Sequence, residues 1–390
     1  MQTPDVVALV PGFLGFTRFG GFYYFADRLI GVLRGLLEEP LEYPVPVVPV
    51  TTLPTDSLGN RQAALLQNLA SVCEKLSGVE RLHLIGHSTG GVDAQLLACT
   101  KCFDGHAWDK KANAVRKKIA SVVTISAPHH GTGLAESRLA RWGENPLLHP
   151  SALIAEAQTI LNLLSLIPRD LAAVAGVGVA APNDVLRFMW QVAMNRDLIE
   201  DLKPERMGAV RARLSQDPEI ELTCFVTGTV PRDDESRPSD PFFLDMCRMT
   251  EGTEPPSPAV VGCERLLRTL VRAQPELVIR SEASAVPLVS TALNDGVVNT
   301  VRQLVHPDRP EEVGGLVVGD HADVLGHYDR CDALIEGMQY NAGLFHSGAG
   351  FGDDEFFALH RRVAEAVLKS IPEVHQAADA EVDVVSIQPG

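Results

Sequence analysis

Leu82-His83-Leu84-Ile85-Gly86-His87-Ser88-Thr89-Gly90-Gly91 is the stretch from which the rest of the chain is read. Its apolar run reads as a short strand, the small residues around Ser88 as a tight turn, and Val92 to about Thr100 as a helix. Strand, serine turn and helix in that order form a nucleophile elbow. A serine hydroxyl attacks a carbonyl only when it projects from the backbone within reach of a base, and such a turn puts Ser88 at the tip. The tight turn leaves no room for side chains at Gly86 and Gly90, and the helix aims its first unpaired N–H groups at the reacting centre. Gly-x-Ser-x-Gly also arises by chance in a chain with 32 glycines. The flanking strand and helix are what chance matches lack.

Upstream, Val6-Val7-Ala8-Leu9-Val10 is a fully apolar run of the kind found in central parallel strands. It enters Pro11-Gly12-Phe13-Leu14-Gly15-Phe16, a glycine-punctuated loop. A loop at this place shares the oxyanion hole with the residue after the nucleophile, which nominates the backbone N–H groups of Phe13 and Thr89. The aromatic cluster that follows, Phe16, Phe19, Phe22, Tyr23, Tyr24 and Phe25, includes Phe22, Tyr23 and Tyr24 as candidate walls of an apolar acyl site. A helix is expected near Ala26–Leu37. The prolines of Val45–Val50 mark an edge strand, and Ser57 to Leu76 carries helical apolar spacing. Downstream, Val122–Ile125 reads as the next buried strand, ending in Ser126-Ala127-Pro128-His129-His130-Gly131-Thr132. Adjacent side chains rarely converge on one ion, so His129 and His130 are read as part of a structured loop and no metal is expected.

These stretches resemble the bacterial true lipases, triacylglycerol lipases of the α/β-hydrolase superfamily. The resemblance rests on Val10–Phe16 with Gly21–Phe25, on Arg61-Gln62 with Leu65, Leu66 and Gln67, on Gly86–Gly91, and on Ser126–His129 with Gly131-Thr132. It covers most of the first 135 residues and returns near the C-terminal third. It implies one α/β-hydrolase domain: a mostly parallel central sheet, helices on both faces and an inserted helical cap or lid. One departure is visible: the family has a histidine before the oxyanion-loop glycine, where this chain has Pro11. The N–H of Phe13 is unaffected.

Between Leu134 and Asp217 strand patterning stops, and 152–167 has apolar residues at helical spacing, including Leu161 and Leu164. This stretch is expected to be the cap, with Leu161 and Leu164 facing substrate. Residues 231–285 are expected to be a second, partly irregular insertion: a proline-rich loop to Pro258, then a short helix near Glu264–Arg272. The tail 372–390 is expected to be loose.

A serine nucleophile needs an acid and then a base further along the chain. Asn294-Asp295-Gly296-Val297-Val298 resembles the lipase acid motif and nominates Asp295, ahead of Asp233, Asp234 and Asp320. Leu316–Gly319 reads as a final strand delivering His321, ahead of His327, His306 and His346. The resemblance would put one ligand of a structural calcium at Asp323, but no acidic partner stands around Ala273–Pro275. The calcium site is therefore not carried over, and no cofactor is expected.

Composition limits the alternatives. Lys plus Arg total 34 against 50 Asp plus Glu, a net charge of −16 that repels nucleic acid and anionic headgroups. The longest apolar candidate, Leu171 to Ala181, is too short to span a bilayer. The start of the sequence lacks secretion-signal features, so either the chain is made without one, hence cytoplasmic, or it has been trimmed. Seven scattered cysteines read as free thiols. The expected activity is carboxylic-ester hydrolysis by Ser88, Asp295 and His321, on an ester or lipid substrate, with possible peripheral contact at a lipid interface. The alternatives are acyl transfer or polyester cleavage by the same residues, and an idle hydrolase scaffold used for binding.

Overall fold

The computed structural model describes residues 4–13, 15, 17–19, 22–137, 195–232, 238–252, 255–328 and 345–372. In chain order come β1 (Asp5–Val10), β2 (Arg18–Phe19), β3 (Phe22–Tyr23), α1 (Asp27–Leu41), β4 (Val47–Pro49) and α2 (Leu58–Lys75). Then follow β5 (Arg81–His87), α3 (Thr89–Leu97), α4 (Lys110–Arg116), β6 (Ile119–Ile125), α5 (Asp197–Asp201), α6 (Pro204–Arg211) and β7 (Glu221–Thr227). The last are α7 (Pro241–Glu251), α8 (Pro258–Ala273), β8 (Val278–Ile279), β9 (Val313–Val317) and α9 (Asp353–Leu368).

Seven strands form one sheet in the order β4-β1-β5-β6-β7-β9-β8. Every pairing in it is parallel. A parallel sheet needs both faces covered, which explains strands that are apolar on both sides. Val7 and Leu9 pack on Leu29, Leu33 and Leu37 of α1 and on Phe356, Leu359 and Val363 of α9. Val6, Ala8 and Val10 point the other way, onto Leu65 and Leu69 of α2, Ala94 and Leu97 of α3, and Val260 and Leu267 of α8. The four-residue spacing of Leu29, Leu33, Leu37 and Leu41 keeps one stripe of α1 buried, and each such leucine contributes roughly 1.5–3 kcal/mol relative to exposure. The proline-bearing β4 is an edge strand that pairs only with β1.

Two elements differ from expectation. The region between Pro231 and Pro258 holds the eleven-residue helix α7, and α8 begins six residues before Glu264. Two of the prolines that suggest a loop, Pro241 and Pro258, occupy the first turns of these helices, where no N–H is needed, behind Asp240 and Ser257 as side-chain caps. Residues 152–167, including Leu161 and Leu164, lie outside the described residues, as do Asp233, Asp234 and the tail from 373. The described residues on either side of 138–194 form a short 3-10 turn at Gly133–Glu136 and the helices α5 and α6. No helix among the described residues is long and apolar enough to cross a membrane.

Candidate active site

Parallel strands align their carboxyl ends, so β5, β6, β7 and β9 deliver their following residues to one edge of the sheet. Ser88 follows β5 directly and stands at φ 56°, ψ −133°. That left-handed conformation costs a non-glycine residue of the order of 1–2 kcal/mol. The close packing around it leaves little choice. A Cβ on Gly86 would lie 2.6 Å from Gly91 Cα, and one on Gly90 would strike the Val10 and Pro11 carbonyls. Thr89 is the first residue of α3, so its N–H has no acceptor within the helix.

Asp295 and His321 meet: His321 Nδ1 donates to Asp295 Oδ2 at 2.8 Å, with the aspartate side chain fully buried and the imidazole nearly so. The backbone N–H of His321 also donates to the Asp295 carbonyl at 3.0 Å. Four further donors hold the carboxylate. Val297 and Val298 N–H reach Oδ1 at 2.9 and 2.7 Å, and Thr227 Oγ1 and Gln303 Nε2 reach Oδ2 at 2.6 and 3.2 Å. Thr227 ends β7, and Gln303 sits in the 3-10 turn Thr300–Gln303. Sequence reasoning missed both. The only available signal was a threonine at a strand end, and nothing singles out Gln303.

His87 links the serine turn to the base. Its ring packs against that of His321 with centroids 4.6 Å apart, and its Nε2 donates to the His321 carbonyl at 2.9 Å. That bond leaves Nδ1 as acceptor for the Tyr24 hydroxyl at 2.7 Å. The Tyr24 hydroxyl in turn accepts the Gly12 N–H. Burial, with His321 beside it, holds His87 neutral, well below the usual histidine range, and burial raises the Tyr24 phenol.

The other nominated residues are distributed as follows. Phe13 is half-buried in the loop after β1 and packs beside Leu58 and Val92. Tyr24 and Phe25 are buried in the core between the sheet and α1, Tyr23 is exposed, and Phe22 lies in β3. His327 is occupied elsewhere, its Nε2 3.1 Å from the carbonyls of both Tyr23 and Tyr24. His306 pairs with Glu312 at 2.7 Å. Asp320 receives the N–H groups of Ala322 and Asp323 at 2.9 and 3.1 Å, and so shapes the loop that carries His321. The His346 backbone N–H donates to Asp240.

His129 and His130 are buried. His129 Nε2 meets Thr124 Oγ1 at 3.1 Å and His130 Nε2 lies 3.8 Å from Cys263 Sγ. Among the described residues no three His, Cys, Asp or Glu side chains converge as a metal site. An apolar cluster flanks the acid and base loops: Phe243, Met246, Cys247, Phe345 and Ala322 at its centre, with Leu134, Phe242, Met249 and Val297 around it.

No family profile matches the chain. A triacylglycerol lipase from Pseudomonas fragi is 30% identical over 174 residues, 43% of this chain and 50% of that protein. The chain is thus matched to half the length of this curated relative. By structure, EstA from Clostridium botulinum is similar at TM-score 0.50 with 17% identity, covering 93% of this chain and 88% of that one. A lipase from Staphylococcus hyicus is similar at TM-score 0.46 and 15% identity, covering 97% and 99%. The fold is that of the α/β-hydrolases, as the parallel sheet and its covering helices already indicated.

Proposed function

We propose that the chain is a serine carboxylic-ester hydrolase of the lipase and esterase type. The observation that carries this reading is a conjunction at one edge of the sheet. A serine in a left-handed turn stands next to a histidine ring packed on His321, and Nδ1 of His321 is bonded to a buried carboxylate. With Nδ1 engaged, Nε2 is the nitrogen left to take the Ser88 proton as Oγ attacks the ester carbonyl. Asp295 keeps that tautomer and stabilises the imidazolium without itself taking the proton. The N–H groups of Phe13 and Thr89 receive the oxyanion, and loss of one such donor costs about 3–4 kcal/mol of barrier in comparable sites. The alcohol leaves with the proton from His321, which then activates water to release the acyl group. The partial likeness to a triacylglycerol lipase and the apolar cluster beside the acid and base loops both favour esters with an apolar acyl group or lipids.

The test is fluorophosphonate labelling followed by peptide mapping, with a panel of p-nitrophenyl esters from short to long acyl chains. Labelling at Ser88 with turnover on the panel is expected. A folded protein that neither labels nor turns over would be the idle scaffold, and product formed only when an alcohol acceptor is added would make it an acyltransferase.

A further inference from the structure

Arg61 on α2 is among the largest fully buried side chains, and its guanidinium reaches the loops on both sides of Ser88. Its Nε donates to both oxygens of Asp93 at 3.0 and 3.2 Å, and its Nη2 to Asp93 Oδ2 at 2.6 Å. Asp93 lies one turn after Thr89 in α3. The same Nη2 donates to the Gly12 carbonyl at 3.2 Å and stands 3.5 Å from Thr89 Oγ1. Nη1 donates to the carbonyls of Leu53 and Pro54. One planar fork therefore contacts the residue before Phe13 and also Thr89.

The peptide plane makes the Gly12 contact consequential. In a trans peptide the carbonyl of one residue and the N–H of the next point in opposite directions. Holding the Gly12 carbonyl toward Arg61 therefore turns the Phe13 N–H away from Arg61. The Gly15 N–H holds the same carbonyl at 2.9 Å, closing the turn. On its other side Gly12 approaches the serine so closely that a Cβ there would lie 2.8 Å from Ser88 Cβ and 3.2 Å from Oγ. A buried charged pair is a costly way to fill a core, since apolar residues of similar volume pack there at least as well. The five-donor geometry has another use at this position, because it ties α2, α3 and the loop after β1 into one rigid unit.

We propose that Arg61, locked by Asp93, is the positioning residue of the oxyanion hole, setting the direction of the Phe13 N–H relative to that of Thr89. This inference rests on the reading of Ser88, Phe13 and Thr89 as the reacting centre. It places the guanidinium outside the reaction: Arg61 touches neither substrate nor nucleophile and acts only through the peptide it holds.

The test compares the wild type with Arg61→Lys and with the paired apolar variant Arg61→Leu/Asp93→Leu, which removes both charges and leaves neither unpaired. Active sites are counted by complete fluorophosphonate titration, so that misfolded molecules drop out of kcat. A p-nitrophenyl ester gives kcat and KM, and a trifluoromethyl ketone, whose adduct carries an oxyanion, gives a second affinity. In both variants kcat per titrated site should fall about 10–100-fold, less than the full loss of a donor, with KM unchanged. Affinity for the ketone should fall by the same factor. Lysine should not rescue, because a point ammonium cannot span Asp93 and Gly12 together. Wild-type kcat per site with only a lowered melting temperature would make Arg61 purely structural and overturn the inference. A wild type that does not label at Ser88 would instead overturn the reading of the reacting centre, and this inference with it.

Discussion

Each end of the central sheet joins a buried histidine to a buried aspartate near a buried serine, and the proposed reaction uses only one end. At the amino end, Ser121 Oγ lies 2.8 Å from His83 Nδ1, and His83 Nε2 lies 2.9 Å from Asp5 Oδ1. At the carboxyl end, His321 is joined to Asp295 at 2.8 Å beside the Ser88 turn. Residue types alone do not distinguish them. Ser121 sits within β6, in register with His83 of β5 and Glu221 of β7, so its backbone is committed to the sheet on both sides. Ser88 has left its strand and starts a helix, where N–H groups are free to meet an oxyanion. Asp5 is also claimed by Arg81 through two hydrogen bonds of 2.6 and 2.8 Å. Burial by itself would raise its pKa, but Arg81, His83 and Tyr43 together hold the carboxyl well below the usual carboxylate range. Asp295 is held by backbone N–H groups and neutral side chains, so its charge remains available to an imidazolium. The end that the proposed reaction uses is the one where the backbone turns out of the sheet.

The comparison breaks most easily at the serines. Ser88→Ala should lower kcat about 10⁶-fold, as loss of a nucleophile does in comparable hydrolases, while Ser121→Ala leaves kcat per folded molecule unchanged. Equal effects on ester turnover would erase the distinction between the two ends. The aspartates sharpen it. Asp295→Asn should cost about 10⁴-fold in kcat through the wrong imidazole tautomer. Asp5→Asn should leave kcat alone and lower unfolding free energy by about 3 kcal/mol, since it strips a buried pair of one partner. Urea denaturation and steady-state kinetics on both variants decide the matter.

A third prediction concerns acid. Burial holds His87 and His129 well below the usual histidine range, His130 at about 3 and His360 at about 4. Their folded pKa values are depressed, so below about 6.5 the unfolded chain binds protons that the folded chain refuses. Their contribution is complete above that pH and is lost as pH falls through the range down to 3–4. Each such group adds a slope of about 1.4 kcal/mol per pH unit. Urea midpoints should fall steadily from pH 6 to pH 4, and a flat profile would mean these imidazoles are charged in the fold. The smallest effect belongs to His327→Ala, which removes contacts to the Tyr23 and Tyr24 carbonyls. Turnover should drop only mildly, against a loss comparable to that of Ser88→Ala for His321→Ala.

Much of this architecture was legible in the chain. The strands β1, β5 and β6 announce themselves as apolar runs, because a parallel sheet covered on both faces has no polar side to alternate with. The elbow is legible because a strand, a tight turn and a helix must follow one another in sequence. Helix α7 was hidden because Pro241, read as a breaker, stands at a helix start behind the Asp240 cap. The supports of the site were hidden for a different reason. Thr227, Gln303, Tyr24 and Arg61 act through partners 68, 8, 63 and 49 positions away. No local pattern records such a distance.

By itself, then, the sequence determined the elements whose physics is local: periodicity, turns, and the order of a serine, an acid and a histidine along the chain. That order nominated Asp295 and His321 but did not reveal the buried contact of His83 with Asp5 and Ser121, which joins residues distant in sequence. The tertiary structure decided which residues meet, by aligning the carboxyl ends of β5, β7 and β9 at one edge. There the backbone leaves the sheet at the start of α3, whose first N–H groups have no acceptor within the helix, beside the carboxylate and imidazole that the proposed reaction uses.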